Sequence, residues 1–139
     1  MKKFFLFSFL PTHVDFALLV LRLVLGGSML ALHGWGKLTK FSSMFNSFPD
    51  PLGLGSRASY VLATGGECLG ALFVALGLFA RLGALWAGSV MGVAFFLVHD
   101  AKLMGPGNGE TALVYLAGFL TILIAGAGRF SFDARMGGK

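Results

Sequence analysis

The stretch from Ala58 to His99 reads ASYVLATGGECLGALFVALGLF (58–79), AR (80–81) and LGALWAGSVMGVAFFLVH (82–99). Each of its two apolar runs falls within the roughly 17–25 residues that a membrane-spanning helix requires. Only Ala80 and Arg81 separate the runs, so the two helices must turn back on each other as antiparallel neighbours. The stretch therefore predicts a pair of transmembrane helices joined by a short turn.

Two further apolar segments flank this pair, at about residues 14–33 and 111–127. The polar connections between the four segments are too short to hold a water-soluble domain. The sequence therefore predicts an all-α membrane protein, with one domain spanning residues 1–139 and a bundle of four transmembrane helices.

Composition supports a lipid-facing exterior. The chain of 139 residues is 56% hydrophobic and 12% charged, with a mean hydropathy of +0.81. A soluble domain typically carries about 25% charged residues. The net charge of +5 suits contact with anionic lipid headgroups. The basic residues are scattered between the apolar segments, which argues against nucleic-acid binding.

The positions of lysine and arginine predict the orientation, since these residues are enriched in short cytoplasmic loops. With both termini in the cytoplasm, the inner side holds Lys2, Lys3, Arg81, Arg129, Arg135 and Lys139. The outer side then holds Lys37, Lys40, Arg57 and Lys102. We therefore expect cytoplasmic N- and C-termini in a bacterial cytoplasmic (inner) membrane.

The first outer loop contains an amphipathic pattern. Apolar side chains recur there at helical spacing, and they are Phe41, Met44, Phe45 and Phe48. The pattern predicts a short helix at about residues 39–48 that lies on the membrane surface.

Glycines within the apolar segments predict close helix packing, because small residues let helix backbones approach each other. The candidates are Gly26 in the first segment, Gly66 and Gly70 in the second, and Gly88 and Gly92 in the third.

Arg22 and Glu67 lie inside predicted spans, where an ionisable group costs about 2.5–3.5 kcal/mol to insert. From the rise of an α-helix, Arg22 is roughly 12 Å and Glu67 roughly 18 Å from the inner end. An ion pair between them is therefore feasible. It would act either as a structural bridge or, in the functional interpretation, as a catalytic pair in which Glu67 exchanges protons with a bound substrate.

Helical spacing extends this pair into a polar column. If the inferred faces turn inward, a cavity open to the outer side is lined by Arg22, Met29, His33, Glu67, His99 and Glu110. This column is the candidate ligand or quinone pocket. We predict no metal site, although His33 and His99 would be the candidate ligands for one.

Several motifs resemble the DoxX family of small four-helix membrane proteins. The matching stretches are 21–23 with Gly26, 33–38, Glu67 with Gly70, 77–81, His99, and 126–133. Where the family commonly shows Gly-Pro-Gly in the last stretch, this chain has Ala127. The resemblance implies a membrane subunit associated with an oxidoreductase, since one relative is a subunit of a thiosulfate:quinone oxidoreductase, or with an oxidative-stress system.

Three functions remain open from the sequence. The first is a redox-linked membrane subunit that binds quinone or anchors a catalytic partner. The second is a non-catalytic accessory subunit at the edge of a larger membrane complex, and the third is a small transporter or lipid-binding protein. In each case we expect a subunit or accessory rather than a self-sufficient enzyme. The expected ligand is a quinone or lipid, and the expected partners are the bilayer and other membrane subunits or a second copy.

Overall fold

The computed structural model describes Phe5 and residues 11–137, and the described part is helical, with no strand. Helix α1 spans Val14–Thr39, α2 spans Phe41–Met44 and α3 spans Ser56–Leu76. Helix α4 spans Ala80–Val98, α5 spans Glu110–Ala125 and α6 spans Phe132–Arg135. Lys2, Lys3 and Lys139, which entered the orientation prediction, lie outside the described residues.

The four long helices form a closed ring. Helix α1 packs on α3, α3 on α4, α4 on α5, and α5 returns to α1. Three of them, α1, α3 and α4, are long and apolar enough to cross a membrane. Helix α5 has 16 residues, which corresponds to about 24 Å at 1.5 Å per residue, somewhat less than the hydrocarbon core of about 30 Å.

The surface of the bundle is apolar. Large hydrophobic side chains are exposed on all four long helices, including Leu32 (73% exposed), Val61, Phe96 and Ile124 (77% exposed). A soluble monomer rarely exposes contiguous apolar surface on this scale. Lipid satisfies such a surface, and the protein is an integral membrane protein whose sides contact the bilayer.

Small residues set the helix spacing inside the ring. A Cβ atom at Gly26 would lie 2.5 Å from the carbonyl oxygen of Ala71, so α1 and α3 touch through backbone. Gly70 and Gly83 make the same kind of contact between α3 and α4. Gly66 also lies against α4, since a Cβ there would be 2.7 Å from the Val90 side chain. Gly83 was not among the packing glycines predicted from the sequence.

The two remaining packing candidates on α4 behave differently. A Cβ at Gly88 would make only an ordinary contact of 3.4 Å with Phe119, and the corresponding position at Gly92 is open. Among the described residues, neither glycine is required for close helix packing.

Each of α1, α3 and α4 contains a wider π-helical turn, at Met29–Gly34, Gly66–Gly70 and Ala94–Val98. Such turns shift the register of the following residues and occur frequently at functional sites. Here the π turns of α1 and α3 pack against each other, and residues of all three line the same cavity. The backbone irregularities of the bundle are therefore concentrated around one site.

Candidate functional site

A cavity of about 440 Å³ lies at one end of the bundle, between the C-terminal halves of α1 and α4 and the N-terminal halves of α3 and α5. Its walls are mostly apolar, with polar groups contributed from every side. The polar and ionisable residues that line it are His33, Lys37, Ser59, Glu67, His99, Thr111 and Tyr115. The loop after α2 covers one end of the cavity through Phe48, Pro49, Pro51 and Leu52. This size and this mixture of apolar walls with a few polar groups are typical of small-molecule sites.

The central polar feature of the cavity is an ion pair between Lys37 and Glu67. Lys37 Nζ lies 2.5 Å from Glu67 Oε2, and the two side chains are only 19% and 7% exposed. The predicted ion pair between Arg22 and Glu67 is therefore wrong: the carboxylate is neutralised from the C-terminal end of α1 instead. A buried carboxylate needs such a partner because removal from water penalises an isolated charge heavily.

Lys37 reaches Glu67 because α1 continues beyond its predicted end at His33 as far as Thr39. His33 and Lys37 are four residues apart, and both side chains enter the cavity. Between them, Gly34 lets the two helices meet: a Cβ there would lie 2.7 Å from the Glu67 carbonyl oxygen and 2.7 Å from Cys68 Sγ. The glycine thus permits the approach that places the ammonium group beside the carboxylate.

From the sequence, Lys37 was placed among the outer-loop cations and in the family-like stretch 33–38, and no role in the pocket was predicted for it. The signal that could have found it was its spacing from His33, since residues four apart share a helix face. The Gly34-Trp35-Gly36 run concealed that signal because glycines are usually unfavourable inside a helix.

The two histidines lie on opposite walls of the cavity, and each is oriented by a neighbour. His33 makes an edge-to-face contact with Tyr115 at 5.5 Å between ring centroids, and the Tyr115 hydroxyl donates to Ser28 Oγ at 2.8 Å. His99 Nδ1 lies 2.8 Å from the Gly107 carbonyl oxygen. Because a carbonyl only accepts, Nδ1 carries a proton, and Nε2 of the neutral ring is left as an acceptor. In the part of the chain that the structure describes, no three potential ligands gather to hold a metal ion.

The loop between α1 and α3 is held over the cavity through Tyr60. This fully buried tyrosine donates a hydrogen bond to the Lys37 carbonyl oxygen. The rings of Phe41, Phe45 and Phe48 contact it edge to face, at centroid distances of 5.6, 6.0 and 5.2 Å. The predicted surface helix at 39–48 is represented by the four-residue helix α2 and a turn, and its aromatic face packs on Tyr60.

Asp50 holds the second half of this loop. Its carboxylate accepts hydrogen bonds from Ser59 Oγ at 2.7 Å and from the backbone N–H groups of Leu54 and Gly55 at 2.9 and 2.7 Å. These bonds, led by the one from Ser59, lower the pKa of Asp50 below its ordinary value. Ser59 lies in the first turn of α3, so the carboxylate ties the loop to that helix.

Arg22 lies apart from the cavity, near the opposite end of the bundle, and is fully buried. Its Nη1 donates to the carbonyl oxygens of Val74 and Ala75, each at 3.3 Å, and its Nη2 donates to that of Phe130 at 2.6 Å. The last carbonyls of a helix lack partners within the helix. Arg22 therefore supplies donors to the end of α3 and fastens the C-terminal segment to it.

Two other members of the predicted column also lie away from the cavity lining. Met29 is fully buried in the hydrophobic core, and Glu110 is exposed at the start of α5. Of the six predicted pocket residues, the structure brings His33, Glu67 and His99 to one cavity and separates Arg22, Met29 and Glu110 from it.

Two comparisons with known proteins show the family of this chain. The DoxX family profile matches residues 17–100. An "Uncharacterized protein" of Haemophilus influenzae is 32% identical over 115 residues, which cover 76% of this chain and 80% of that protein. No solved structure matches. The resemblance found in the sequence is thus confirmed, and the chain belongs to the DoxX family of membrane proteins.

Proposed function

We propose that this protein is a four-span subunit of the bacterial cytoplasmic membrane that binds a quinone headgroup in its outer cavity and serves a membrane oxidoreductase or redox-stress system. One observation carries the proposal. The buried Lys37–Glu67 ion pair and two histidines line a single, otherwise apolar cavity inside a membrane bundle. The distribution of basic residues supports cytoplasmic termini.

The chemistry of the cavity suits a quinone. A quinone ring needs apolar walls, and its carbonyl oxygens need donors that can also deliver protons on reduction. Lys37 has three N–H donors, and the bond to Glu67 occupies one of them. The Glu67 carboxylate balances the charge of the ammonium group, and the ring nitrogens of His33 and His99 add further hydrogen-bonding groups.

The side chains that line the cavity can donate and accept hydrogen bonds, but none of them is an electron carrier. The electrons for quinone reduction would therefore come from a partner protein, which agrees with a subunit role. The open Cβ position at Gly92 on α4 supports a related alternative, a non-catalytic accessory subunit, because another helix could approach closely there. The same apolar cavity would also accept a lipid tail, as a lipid-binding protein or small transporter requires.

Direct binding to the purified protein tests the quinone proposal. The full chain is extracted in lipid nanodiscs, its bound small molecules are identified by mass spectrometry, and a short-tailed ubiquinone is titrated by calorimetry. We expect a saturable site that is weakened about tenfold or more in Lys37→Met and in Glu67→Gln, because each loses charge-assisted hydrogen bonding.

Lys102→Gln is the matched control. It removes one cation from an outer loop, where the side chain is exposed and bonds Asp100 at 3.4 Å. Binding should be unchanged in this variant. Quinone binding that survives both cavity substitutions would refute the site, and a co-purified lipid without quinone affinity would favour the lipid-binding alternative.

A further inference from the structure

A second pocket, of about 710 Å³, opens at the opposite end of the bundle from the quinone cavity. The beginnings of α1 and α4, the end of α5 and the segment around α6 form its walls. The residues that line it are Val14, Asp15, Leu18, Phe79, Arg81, Leu82, 125–129, Ser131, Asp133, Ala134 and Met136. We call it the end pocket. None of the residues assigned to the proposed quinone site contributes to it.

Two arginines supply positive charge to the end pocket. Arg81 Nη2 donates to the Ile124 carbonyl oxygen at 3.1 Å, which fixes the guanidinium beside Gly126 and leaves most of its five N–H donors available. The Arg129 guanidinium makes no hydrogen bond or ion pair with any residue in the described ranges. Both side chains are exposed.

The two carboxylates of the end pocket are already engaged. Asp133 accepts from the backbone N–H groups of Phe79 and Ala80 at 2.7 and 2.9 Å, at the start of α4. It also interacts electrostatically with the buried Arg22. Asp15 accepts from the Arg129 N–H at 2.9 Å and lies in the first turn of α1. Helix N-termini stabilise negative charge, so each carboxylate is partly offset by its own helix end, and in the described residues neither carboxylate bonds the guanidinium group of Arg81 or Arg129.

The rim of the end pocket is apolar. Val14, Phe79, Leu82 and Met136 border it and are each more than half exposed. A free, soluble anion has no apolar part that could contact such a rim. A lipid whose headgroup lies in the pocket has one, because its acyl chains continue from the headgroup along the apolar sides of the bundle.

We propose that the end pocket binds the phosphodiester headgroup of an anionic phospholipid, with Arg81 and Arg129 contacting the phosphate and the apolar rim contacting the acyl chains. Basic pockets between membrane helices commonly bind such headgroups. This inference is independent of the quinone proposal, because the two sites share no residue.

Native mass spectrometry of the full chain in a mild detergent tests the proposal. Dioleoyl-phosphatidylglycerol and dioleoyl-phosphatidylcholine, which have the same acyl chains, are added separately, and the bound fraction is measured against lipid concentration. We expect phosphatidylglycerol to bind more tightly. Arg129→Gln should weaken that binding about fivefold, the contribution of one arginine near an anionic lipid surface.

The matched control is Arg57→Gln, which removes the same charge at the opposite end, where Arg57 Nε bonds Asn46 Oδ1 at 2.9 Å. It should leave phosphatidylglycerol binding unchanged. Arg129→Gln is preferred to Arg81→Gln because Arg81 also supports the end of α5. Glycerol 3-phosphate, added as a competitor, should not displace the lipid.

Three results would overturn the proposal. The first is equal binding of the two lipids, and the second is an equal loss of phosphatidylglycerol binding in Arg57→Gln and Arg129→Gln. The third is displacement of the lipid by glycerol 3-phosphate, which would assign the pocket to free phosphate esters. Unchanged quinone binding in Arg129→Gln would show that the loss of lipid is local to the end pocket.

Discussion

Arg22 Nη2 donates a hydrogen bond of 2.6 Å to the carbonyl oxygen of Phe130, a residue 108 positions further along the chain. The bond joins the first spanning helix to the segment after the last one. Gly77 makes room for it, because a Cβ at this left-handed position would collide with Arg22 Nη1 and lie 2.6 Å from Ser131 Cβ. At this end of the bundle, the Arg22 guanidinium therefore bonds backbone carbonyl oxygens and no carboxylate in the described residues.

Replacement of Arg22 by methionine should destabilise the fold without abolishing the outer site. The carbonyl oxygens of Val74, Ala75 and Phe130 would each lose a donor, and a buried group left unsatisfied costs about 1–3 kcal/mol. The Val74 oxygen keeps the hydrogen bond from the Gly77 N–H. Cys68 is buried in the native protein, so its reaction with a thiol-reactive dye on heating reports unfolding. We expect a lower unfolding midpoint for Arg22→Met and unchanged quinone affinity at low temperature.

Arg135→Gln serves as the control for that experiment. Arg135 is exposed at the same end, over the Phe132 ring at 5.8 Å, and its loss should change the midpoint little. A normal midpoint in Arg22→Met combined with lost ligand affinity would instead make Arg22 part of the binding site.

Gly34 and Gly36 provide a matched pair on α1. A Cβ at Gly34 would lie 2.7 Å from the Glu67 carbonyl oxygen, whereas a Cβ at Gly36 would meet nothing within 4 Å. Forcing a methyl group into a packed interface typically costs about 1–3 kcal/mol. Gly34→Ala should therefore lower the unfolding midpoint and the affinity of the outer cavity.

Gly36→Ala should be neutral or slightly stabilising, because alanine has the higher helix propensity. The same thermal assay compares the two variants. If both substitutions behave alike, the close approach of α1 and α3 at Gly34 does not exist in the membrane.

The sequence predicted the helices well because long apolar runs with glycine and arginine between them carry a strong local signal. It also singled out His33, Glu67 and His99, since polar side chains within apolar runs are conspicuous. The partners of these residues were harder to identify. Arg22 binds carbonyl oxygens, which every residue possesses, so no pattern in the sequence marks them.

The first outer loop shows a second limit of sequence reasoning. The spacing of Phe41, Phe45 and Phe48 reveals an apolar face but not what that face contacts. Lipid and the ring of Tyr60 are equally suitable apolar partners, and only the path of the chain decides between them. The π turns are likewise invisible to a 3.6-residue period, and they set which side chains enter the cavity.

The Lys37–Glu67 pair should show strong energetic coupling in a double-mutant cycle. Removing one partner leaves the other charge buried and uncompensated, which is strongly destabilising, whereas removing both is tolerated better. We expect Lys37→Met and Glu67→Gln to be coupled by about 0.5–3 kcal/mol, the range for residues in contact. Reversible unfolding in detergent by a denaturing surfactant gives the required free energies.

A second cycle, with Arg22→Lys and Glu67→Gln, distinguishes the observed pair from the one expected from sequence. Arg22 has no ion pair with Glu67 in the described residues, so these two effects should add within about 0.5 kcal/mol. If the Arg22 and Glu67 substitutions are coupled and the Lys37 and Glu67 substitutions are additive, Glu67 pairs with Arg22 and not with Lys37.

Acid should loosen the loop that covers the outer cavity, because Asp50 anchors it as a carboxylate. The bond from Ser59 and the backbone N–H groups lower the pKa of Asp50 in the folded protein. Its contribution to stability is therefore fully present above the ordinary aspartate pKa of about 3.9. It is lost as the pH falls from there through the lower folded value, since the unfolded state then binds more protons.

The measurement compares the wild type with Asp50→Asn between pH 7 and pH 3. The wild type should unfold at the higher temperature at pH 7, and the difference should shrink below about pH 4. Asp100→Asn is the control. It removes the same charge from the loop between α4 and α5, where the exposed carboxylate bonds Lys102 at 3.4 Å, and surface pairs of this kind contribute little. The difference in unfolding temperature between wild type and Asp50→Asn could instead stay constant down to pH 3. That result would show that the carboxylate does not hold the loop, and that the contacts of Phe48 and its aromatic neighbours with Tyr60 hold it alone.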